Sequence, residues 1–262
     1  MIKVAVTGAL GKMGREVISM TLADENLDLV LALDVVGEGE KISDKVSVRV
    51  DFENALKEIK PDVVVDFTQP DVIFEHVKKY LELGIKSVIG TTGLSLEQIE
   101  VLKNLSKENN TGVIIAPNFA IGAVLMMMFA KSASKYFDNA EIIEYHHNQK
   151  KDAPSGTAIK TAQLMNQEKE NFMLGNSPEK ELIEGARGAN HAGNIKIHSV
   201  RMPGYVASQE VIFGSSGQTF KIRHDSIDRA CYMSGVNLAI KKVYNDNDFI
   251  YGLENILWQI YQ

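Results

Sequence analysis

The first half of the chain alternates short apolar runs with amphipathic segments. The apolar runs predict buried strands, and the segments between them carry apolar residues at helical spacing. The predicted strands are Lys3–Thr7, Leu27–Leu33, Asp62–Phe67, Ser87–Gly90 and Val113–Ala116. The predicted helices are Gly11–Ala23, Asp51–Ile59, Asp71–Leu83 and Ser95–Asn109. Strands and helices in alternation, with strands that are almost wholly apolar, indicate an α/β fold with a parallel sheet covered by helices on both faces.

The pattern changes after about residue 120. Helices are predicted at Ala123–Tyr136 and Gly156–Gln167, and strands at Ala140–Tyr145, Asn194–Val200, Glu210–Gly214 and Gln218–His224. The segment Leu174–Asn194 is glycine-rich and polar, and we expect an irregular loop there. Because the last three strands follow one another without helices, the pattern favours an antiparallel α+β block. Two helices, Ser226–Val243 and Leu253–Tyr261, are predicted to end the chain.

The composition is that of a folded globular protein. The 262 residues are 45% hydrophobic and 24% charged, which excludes a disordered or fibrous chain. The formal net charge is −6 and no long basic run occurs in the sequence, so general nucleic-acid binding is not expected. The single cysteine, Cys231, has no partner for an internal disulfide, and we interpret it as a small buried apolar residue.

One segment has the length and composition to suggest a membrane helix. Thr111–Ala130 carries no charged residue and is mostly apolar. Pro117, Asn118 and Gly122 interrupt it, so a strand, a turn and a helix fit better. The N-terminal residues Met1–Val6 run directly into a glycine turn and do not resemble a secretory signal. We therefore expect a cytoplasmic protein that does not bind membranes.

A glycine-rich turn follows the first predicted strand. Gly8, Gly11 and Gly14 occur in VTGALGKMG, between that strand and the first helix. Glycines here let the backbone approach a pyrophosphate, and the helix N-terminus supplies N–H donors and a favourable dipole. The spacing is GxxGxxG rather than GxGxxG, so a tight turn without a ligand is the alternative.

An acid ends the second predicted strand. Asp34 follows Gly14 by 20 residues. In a dinucleotide-binding fold, an acid at this point accepts hydrogen bonds from the adenosine ribose hydroxyls. An exposed aspartate at a strand end is common in any protein, but the glycine turn upstream favours the ribose role. The two features together predict a dinucleotide site.

Later strands also end in residues that suit a ligand. These ends are Asp66-Phe67-Thr68, Gly90-Thr91-Thr92-Gly93 and Ala116-Pro117-Asn118-Phe119. Ligands bind at the carboxyl edge of open parallel sheets, and small or hydroxyl residues there allow close approach of a nicotinamide and its ribose. Ordinary loops are the alternative at each of the three.

The densest run of functional side chains is Glu144–Thr157, EYHHNQKKDAPSGT. Its two adjacent histidines and two adjacent lysines can donate protons or bind anions near neutral pH. Ser155, Gly156 and Thr157 then open a helix, where backbone N–H groups suit a carboxylate or phosphate. A solvated basic loop without a function is the alternative.

Metal binding and special roles for other conspicuous residues are not expected. His146 and His147 are adjacent on a strand and would point to opposite faces, and no cysteine or carboxylate cluster completes a ligand set. We interpret Met126–Met128 and Trp258 as core packing.

The motifs resemble those of the dihydrodipicolinate reductases, also called 4-hydroxy-tetrahydrodipicolinate reductases, of bacterial lysine and diaminopimelate synthesis. In order along the chain they are VTGALGKMG, VVVDFTQPD, GTTGLS, APNFAIG, EYHHNQKKDAPSGTA, IHSVR and HDSIDRACYMSGV. The resemblance covers essentially the whole chain, and the block HHxxKxDAPSGT is very specific to the family.

The resemblance implies a Rossmann-type domain of residues 1–120, completed by C-terminal helices within 236–262. Residues 121–235 would form a substrate-binding and oligomerisation domain with a mixed open sheet, in a homotetramer. The implied pyrophosphate residues are Gly8, Ala9, Leu10, Gly11, Lys12 and Met13, and the implied ribose residue is Asp34. The implied nicotinamide side consists of Gly90, Thr91, Thr92, Ala116, Pro117, Asn118 and Phe119.

The resemblance also implies the chemistry of the second block. His146 is similar to the family's proton donor and Lys150 to its second acid/base group. The implied ligands of the two substrate carboxylates are His147, Lys150, Ser155, Gly156 and Thr157. The implied reaction is loss of the 4-hydroxyl as water and hydride transfer from NAD(P)H to the ring. The residue types suit it, because a dianion needs cations and N–H donors, and hydride delivery develops negative charge that an acid must quench.

The sequence departs from the family pattern in two places. Many members carry an arginine just after the ribose acid, whereas Val35 and Val36 follow Asp34 here. The glycine-rich stretch after HSVR is replaced by Met202–Ser208, which leaves the subunit interface open. Since a valine cannot neutralise a 2′-phosphate, we expect NADH to be preferred and NADPH to be a possible second cofactor.

Two other functions are compatible with such a fold. One is a non-catalytic NAD(H)-binding regulator, which would keep the glycine turn but has no need of the His–His–Lys block. The other is an amino-acid-pathway dehydrogenase with a different substrate.

Overall fold

A computed structural model of the chain describes residues 1–173 and 180–257, which divide into two compact units. The first consists of Met1–Phe119 and the segment that begins at Arg229, and the second of Ala120–Asp228. The return to the first unit precedes the boundary at 235/236 that the sequence suggested, because a 3₁₀ turn at Arg229–Tyr232 packs with the first unit.

The described residues form the following helices and strands. The strands are β1 Ile2–Thr7, β2 Leu27–Leu33, β3 Val48–Arg49, β4 Val63–Asp66, β5 Lys86–Ile89, β6 Val113–Ile115, β7 Asn139–His146, β8 Ala189–His191, β9 Ile195–Arg201, β10 Ala207–Ser215, β11 Gln218–Ser226 and β12 Phe249–Tyr251. The helices are α1 Lys12–Ala23, α2 Phe52–Ile59, α3 Pro70–Glu82, α4 Leu96–Glu108, α5 Ile121–Ala133, α6 Gly156–Glu168, α7 Met233–Asn245 and α8 Glu254–Leu257.

The first unit is built on a seven-stranded parallel sheet. Its order is β12-β6-β5-β4-β1-β2-β3, so six of its strands have the order of a dinucleotide-binding fold. The central strands are apolar on both faces; in β4 all four residues are buried, including Val64 and Val65. Burial on both faces explains the continuous apolar runs in the sequence. The predicted α/β class with a Rossmann-type sheet is confirmed.

The second unit contains a five-stranded mixed sheet in the order β11-β10-β7-β9-β8. Its core combines residues of β7, β9 and β10 with apolar residues of α5 and α6, among them Ile142, Met165 and Phe213. The pattern alone favoured an antiparallel block, and this is wrong for β7 and β9, which pair in parallel. The chain between them contains α6, and such a long crossover is what a parallel pair requires. The mixed sheet that the resemblance implied is confirmed.

Local sequence explains how the helices begin. Ser95 and Gln98 form a reciprocal capping box at the start of α4, and Asp51 accepts from the Asn54 amide at the start of α2. The expected helix at Ser226–Val243 starts only at Met233, after the 3₁₀ turn. The strands β3, β8 and β12 were not predicted, because two or three residues are too few to show a period.

The side chains that the sequence predicts to be buried differ in their exposure. Met126 and Met127 are buried as expected, whereas Cys231 is partly exposed, so its interpretation as a buried residue is wrong. Trp258, the end of the helix predicted at Leu253–Tyr261 and part of the loop predicted at Leu174–Asn194 lie outside the described residues.

The long apolar segment Thr111–Ala130 contains β6, a turn and most of α5, as expected. In the described part of the chain, no helix is long and apolar enough to cross a membrane.

Candidate active site

The glycine turn packs tightly against the chain that surrounds it. Gly8 has φ +79°, and a Cβ added there would lie 2.6 Å from the Phe67 carbonyl oxygen. A Cβ on Gly14 would lie 2.0 Å from the Gly8 carbonyl oxygen, so α1 reaches the turn only because residue 14 has no side chain. Glycine is therefore required at both positions by backbone conformation or packing.

Most amides of the turn already have partners. The Gly8 and Ala9 amides donate to the Leu33 carbonyl, and the Gly11 amide donates to the Gly8 carbonyl. The Leu10 amide donates to Asp34 Oδ2 at 2.9 Å. Asp34 thus ties the turn to the end of β2.

The first turn of α1 is the part of this loop that suits an anion. Gly11 is the N-cap residue and makes no side-chain capping bond. The first-turn N–H groups of Lys12 and Met13 have no intrahelical acceptor and point out of the helix N-terminus. Of the residues expected at the pyrophosphate, these two offer the amides best suited to it.

A cavity of about 450 Å³ lies beside this turn. It is lined by Thr7, Gly8, Leu10, Gly11, Leu33, Asp34, Val35, Val36, Val50, Phe52, Phe67, Thr68, Gln69, Val72 and His76. The glycine turn, an acid at the end of β2 and a largely apolar slot beyond it are what an adenosine diphosphate half requires. The residues present therefore fit a dinucleotide.

Asp66 is the last residue of β4, but its side chain is not exposed. It is fully buried and accepts hydrogen bonds from the Thr68 amide and hydroxyl, from His76 Nδ1 at 2.9 Å and from the Tyr80 hydroxyl at 2.7 Å. Burial, and then the charge of Asp66, raise the pKa of Tyr80 well above its usual range, so its hydroxyl keeps the proton that it donates. The carboxylate joins β4 to α3 and to the loop that holds Thr91.

The residues expected on the nicotinamide side differ in exposure. The side chains of Thr91, Ala116 and Phe119 are buried, so they can offer a ligand mainly their backbone. Thr92 and Pro117 are exposed and Asn118 is partly exposed. Gly90 leaves room for the Phe67 ring, since a Cβ there would lie 2.0 Å from it.

In the second unit, a buried ion cluster holds His146 at the end of β7. Glu144 is fully buried, and its Oε2 lies 2.5 Å from His146 Nδ1. Arg201 on β9 binds both carboxylate oxygens of Glu144, at 2.8 Å and 2.7 Å, and also the Asp152 carbonyl. The Ser155 amide donates to Glu144 Oε1. This network fixes the histidine ring and leaves Nε2 as the nitrogen for a ligand.

Glu144 is ionised despite its burial. Burial alone would raise its pKa, but hydrogen bonds from His146, Arg201 and Ser199 outweigh this and lower the pKa to about 2. The sequence predicts no specific role for Glu144, which opens the functional run, or for Arg201, which ends the IHSVR motif. A signal was present, because Glu144 interrupts the apolar alternation of Ala140 and Ile142 two residues before His146.

Lys150 lies in the turn that follows β7. Its side chain is 19% exposed, and its ammonium group binds both carboxylate oxygens of Asp152, at 2.8 Å and 2.7 Å. The Lys150 amide donates to the His147 carbonyl, which closes the turn. Asp152 is itself exposed, so its carboxylate could give way to a ligand carboxylate.

The start of α6 is open to an anion at two of its amides. Ser155 is the N-cap residue, is buried, and accepts from the Ala158 amide through its hydroxyl. That leaves the amides of Gly156 and Thr157 as first-turn donors, whereas the Ser155 hydroxyl is engaged in capping. Across residues 1–173 and 180–257, no group of three or more His, Cys, Asp or Glu side chains is placed to hold a metal ion.

Comparison with known proteins identifies the family. The family descriptions "Dihydrodipicolinate reductase, N-terminus" and "Dihydrodipicolinate reductase, C-terminus" match residues 2–119 and 122–257. The chain belongs to the dihydrodipicolinate reductase family. The resemblance inferred from the sequence motifs is thus confirmed.

Similar proteins agree with this assignment over their full length. A 4-hydroxy-tetrahydrodipicolinate reductase of Listeria innocua is 52% identical over 97% of this chain and 99% of its own. The protein of that name from Syntrophomonas wolfei is 49% identical over 97% and 98%. A solved structure, dipicolinate-bound dihydrodipicolinate reductase from Paenisporosarcina sp. TG-14, is 46% identical with a TM-score of 0.90 and covers 98% of this chain and 99% of its own.

Proposed function

We propose that this chain reduces 4-hydroxy-tetrahydrodipicolinate to tetrahydrodipicolinate, with loss of the 4-hydroxyl as water, in lysine and diaminopimelate biosynthesis. NAD(P)H, when bound, supplies the hydride. The substrate takes up that hydride and one proton and releases one water molecule. The observation that carries the proposal is the Glu144–His146–Arg201 cluster beside the start of α6, in a chain of this family.

Binding of a dicarboxylate is supported by the donors of the second unit. We propose that Lys150, His147 and the amides of Gly156 and Thr157 bind the two substrate carboxylates, with Ser155 supporting them as the helix cap. Charge-assisted hydrogen bonds of this kind are about twice as strong as neutral ones. The related protein from Paenisporosarcina is described as dipicolinate-bound, and dipicolinate is a dicarboxylate.

The proton is assigned to His146, with Lys150 as the second acid/base group. His146 Nδ1 donates to the ionised Glu144, so its Nε2 is the atom that exchanges a proton with the substrate. Arg201 holds the Glu144 carboxylate in place and thereby restrains the ring. Such orientation keeps the acid where negative charge develops during reduction.

The dinucleotide is assigned to the first unit. Gly8 to Met13 would hold the pyrophosphate, Asp34 the adenosine ribose, and Gly90–Thr92 with Ala116–Phe119 the nicotinamide side. Asp34 already accepts the amides of Leu10 and Val35, one on each oxygen, and each oxygen keeps a second lone pair for a ribose hydroxyl.

We expect NADH to give a higher kcat/KM than NADPH. The 2′-phosphate of NADPH would face the Asp34 carboxylate, and Val35 and Val36 supply no neutralising charge.

Val35→Arg is expected to raise kcat/KM for NADPH. Lys12→Ala is expected to lower kcat/KM for NADPH more than kcat/KM for NADH. Arg15 donates to the Leu10 carbonyl, so Arg15→Ala shows whether a second cation near the turn contributes. Steady-state kinetics with both cofactors decides, and a clear preference of the wild type for NADPH would contradict the role of Asp34.

Thr157→Val is expected to raise KM for the substrate more than it lowers kcat. Thr157 lies in the first turn of α6, where a carboxylate docks in both the ground state and the transition state. Initial rates at saturating NADH with varied substrate separate the two constants. Equal KM values for variant and wild type would remove Thr157 from the site.

A homotetramer in the cytoplasm is also part of the proposal. The face of the mixed sheet opposite α5 and α6 keeps Ile143, Tyr145 and Ile212 partly exposed beside the ion pairs of Glu210 with Lys221 and Arg223. A partly apolar sheet face of this kind supports subunit contact. Light scattering of the purified protein measures the oligomeric state.

The reaction is tested by following NADH oxidation with the purified protein. Oxidation is expected only when 4-hydroxy-tetrahydrodipicolinate is generated in the cuvette from its aldehyde precursor. NADH binding without turnover would favour a non-catalytic regulator, and turnover with another substrate but not this one would indicate a different dehydrogenase.

A further inference from the structure

A histidine lies in the wall of the dinucleotide cavity. His76 belongs to α3, its side chain is 20% exposed, and it lines the cavity together with Asp34 and Val72. Phe52 stacks on the imidazole, with ring centroids 4.4 Å apart and planes inclined by 21°. Phe52 begins α2, the helix that follows the edge strand β3, so this ring pair lies on the side of the cavity that the adenosine half occupies.

Asp66 fixes which nitrogen of His76 carries the proton. Nδ1 lies 2.9 Å from Asp66 Oδ2, and Asp66 is fully buried among hydrogen-bond donors. The Asp66 carboxyl group also accepts from the Thr68 and Tyr80 hydroxyls, so it is the acceptor and Nδ1 is the donor of this bond. In the neutral ring Nε2 then holds a lone pair and is an acceptor.

The remaining wall of this part of the cavity is mostly apolar. Val35, Val36, Val50 and Val72 line it with Phe52. A flat aromatic base fits between such side chains, and a fixed acceptor among them discriminates between bases by the polar groups at their edges. The adenine edge carries a 6-amino group, which is a donor.

We propose that His76 recognises the adenine of the cofactor by accepting a hydrogen bond from the 6-amino group at Nε2. Asp66 holds the ring in the tautomer that makes this possible. The inference rests on the proposed use of NADH and adds a residue that sets specificity for the base.

The test compares NADH with reduced nicotinamide hypoxanthine dinucleotide, in which a carbonyl replaces the 6-amino group. A carbonyl oxygen facing the Nε2 lone pair removes the hydrogen bond and sets two acceptors against each other. We expect the Kd of the wild type, measured without substrate by the change in cofactor fluorescence, to be about tenfold lower for NADH than for the hypoxanthine analogue. The ratio of the two kcat/KM values is expected to follow the ratio of the two Kd values. Both dinucleotides are measured at the same pH, about 8.

Two variants separate recognition from packing. His76→Asn keeps an amide donor for Asp66 but has nothing at the position of Nε2. The ratio of the analogue's Kd to that of NADH, and with it the ratio of the two kcat/KM values, is therefore expected to fall to about one. His76→Gln can place its amide oxygen near that position and is expected to keep a ratio of about threefold. Val35→Ala is the control, because it alters the same cavity without changing a hydrogen bond and leaves the ratio at its wild-type value.

The outcomes distinguish this inference from the proposed function. A wild-type ratio near one, or an unchanged ratio in His76→Asn, overturns the role of His76 while leaving the reductase activity intact. If His76→Asn does not fold, the wild type and His76→Gln decide by the same ratio. Failure of the wild type to oxidise either dinucleotide with substrate present rejects the proposed function instead.

Discussion

Replacing Lys150 by alanine is expected to lower kcat by about 10²–10⁴-fold while NADH binds nearly as tightly as in the wild type. A loss of this size is typical when one positioned general acid or base is removed. The Lys150 side chain is only 19% exposed and its ammonium group is held by Asp152 in the turn after β7, so its position is defined before substrate binds. His146→Ala is expected to have an effect of the same order, because it removes the atom that exchanges the proton.

Lys151→Ala is the matched control for Lys150→Ala. Lys151 is the neighbouring lysine and is exposed, so its removal changes the net charge equally but leaves the site in place. Turnover is measured at saturating NADH and substrate, and NADH affinity by the change in cofactor fluorescence. Near-wild-type kcat for Lys150→Ala and His146→Ala would reject the catalytic assignment, and lost NADH affinity would relocate both residues to the cofactor site.

The second large effect concerns Glu144. Glu144→Gln is expected to reduce the free energy of unfolding by about 3 kcal/mol at neutral pH, because it removes one partner of a buried ion pair and leaves Arg201 without its counter-charge. The control is Glu25→Gln, since Glu25 is an exposed carboxylate between α1 and β2 and its replacement is expected to change stability little.

The effect of Glu144→Gln depends on pH with a defined sign. In the folded chain the pKa of Glu144 is lowered from 4.5 to about 2, so its stabilisation is present above about pH 4.5 and is lost as pH falls toward 2. Glutamine does not titrate. The difference in unfolding free energy between wild type and variant is therefore expected to be largest near neutral pH and to shrink between about pH 5 and pH 2.

Urea unfolding at several pH values measures this difference. Other carboxylates that titrate in the same range, such as Glu141 and Asp225, are common to both proteins and cancel in the comparison. A difference that stays constant across this pH range would show that the ionised form of Glu144 is not the source of the stability.

The first unit could be predicted closely from the sequence for a physical reason. Strands such as Leu27–Leu33 are buried on most of their length by helices on both faces, so the apolar run and the strand coincide. The turn residues are equally constrained, because Gly8 and Gly14 would clash if they had a side chain. These local constraints are visible in a single sequence.

The features that could not be predicted from the sequence depend on contacts between residues far apart in the chain. The parallel partnership of β7 and β9 joins segments on either side of α6, and no local period encodes it. Glu144 binds Arg201, which is 57 residues away in the sequence. His76 in α3 binds Asp66, which lies at the end of β4. The pattern predicts that Asp66 is among the strand ends that face a ligand, whereas its carboxylate is buried in a network of donors.

The transfer of hydride from NADH to the substrate ring is the central claim, and isotope labelling tests it most directly. The purified chain is supplied with NADH that carries two deuterium atoms at C4 of the nicotinamide and with freshly generated 4-hydroxy-tetrahydrodipicolinate, and the product is analysed by mass spectrometry. We expect one deuterium in each molecule of tetrahydrodipicolinate, one NADH consumed for each product formed, and loss of the 4-hydroxyl oxygen. Product without deuterium, or NADH oxidation that does not depend on the substrate, would contradict the account.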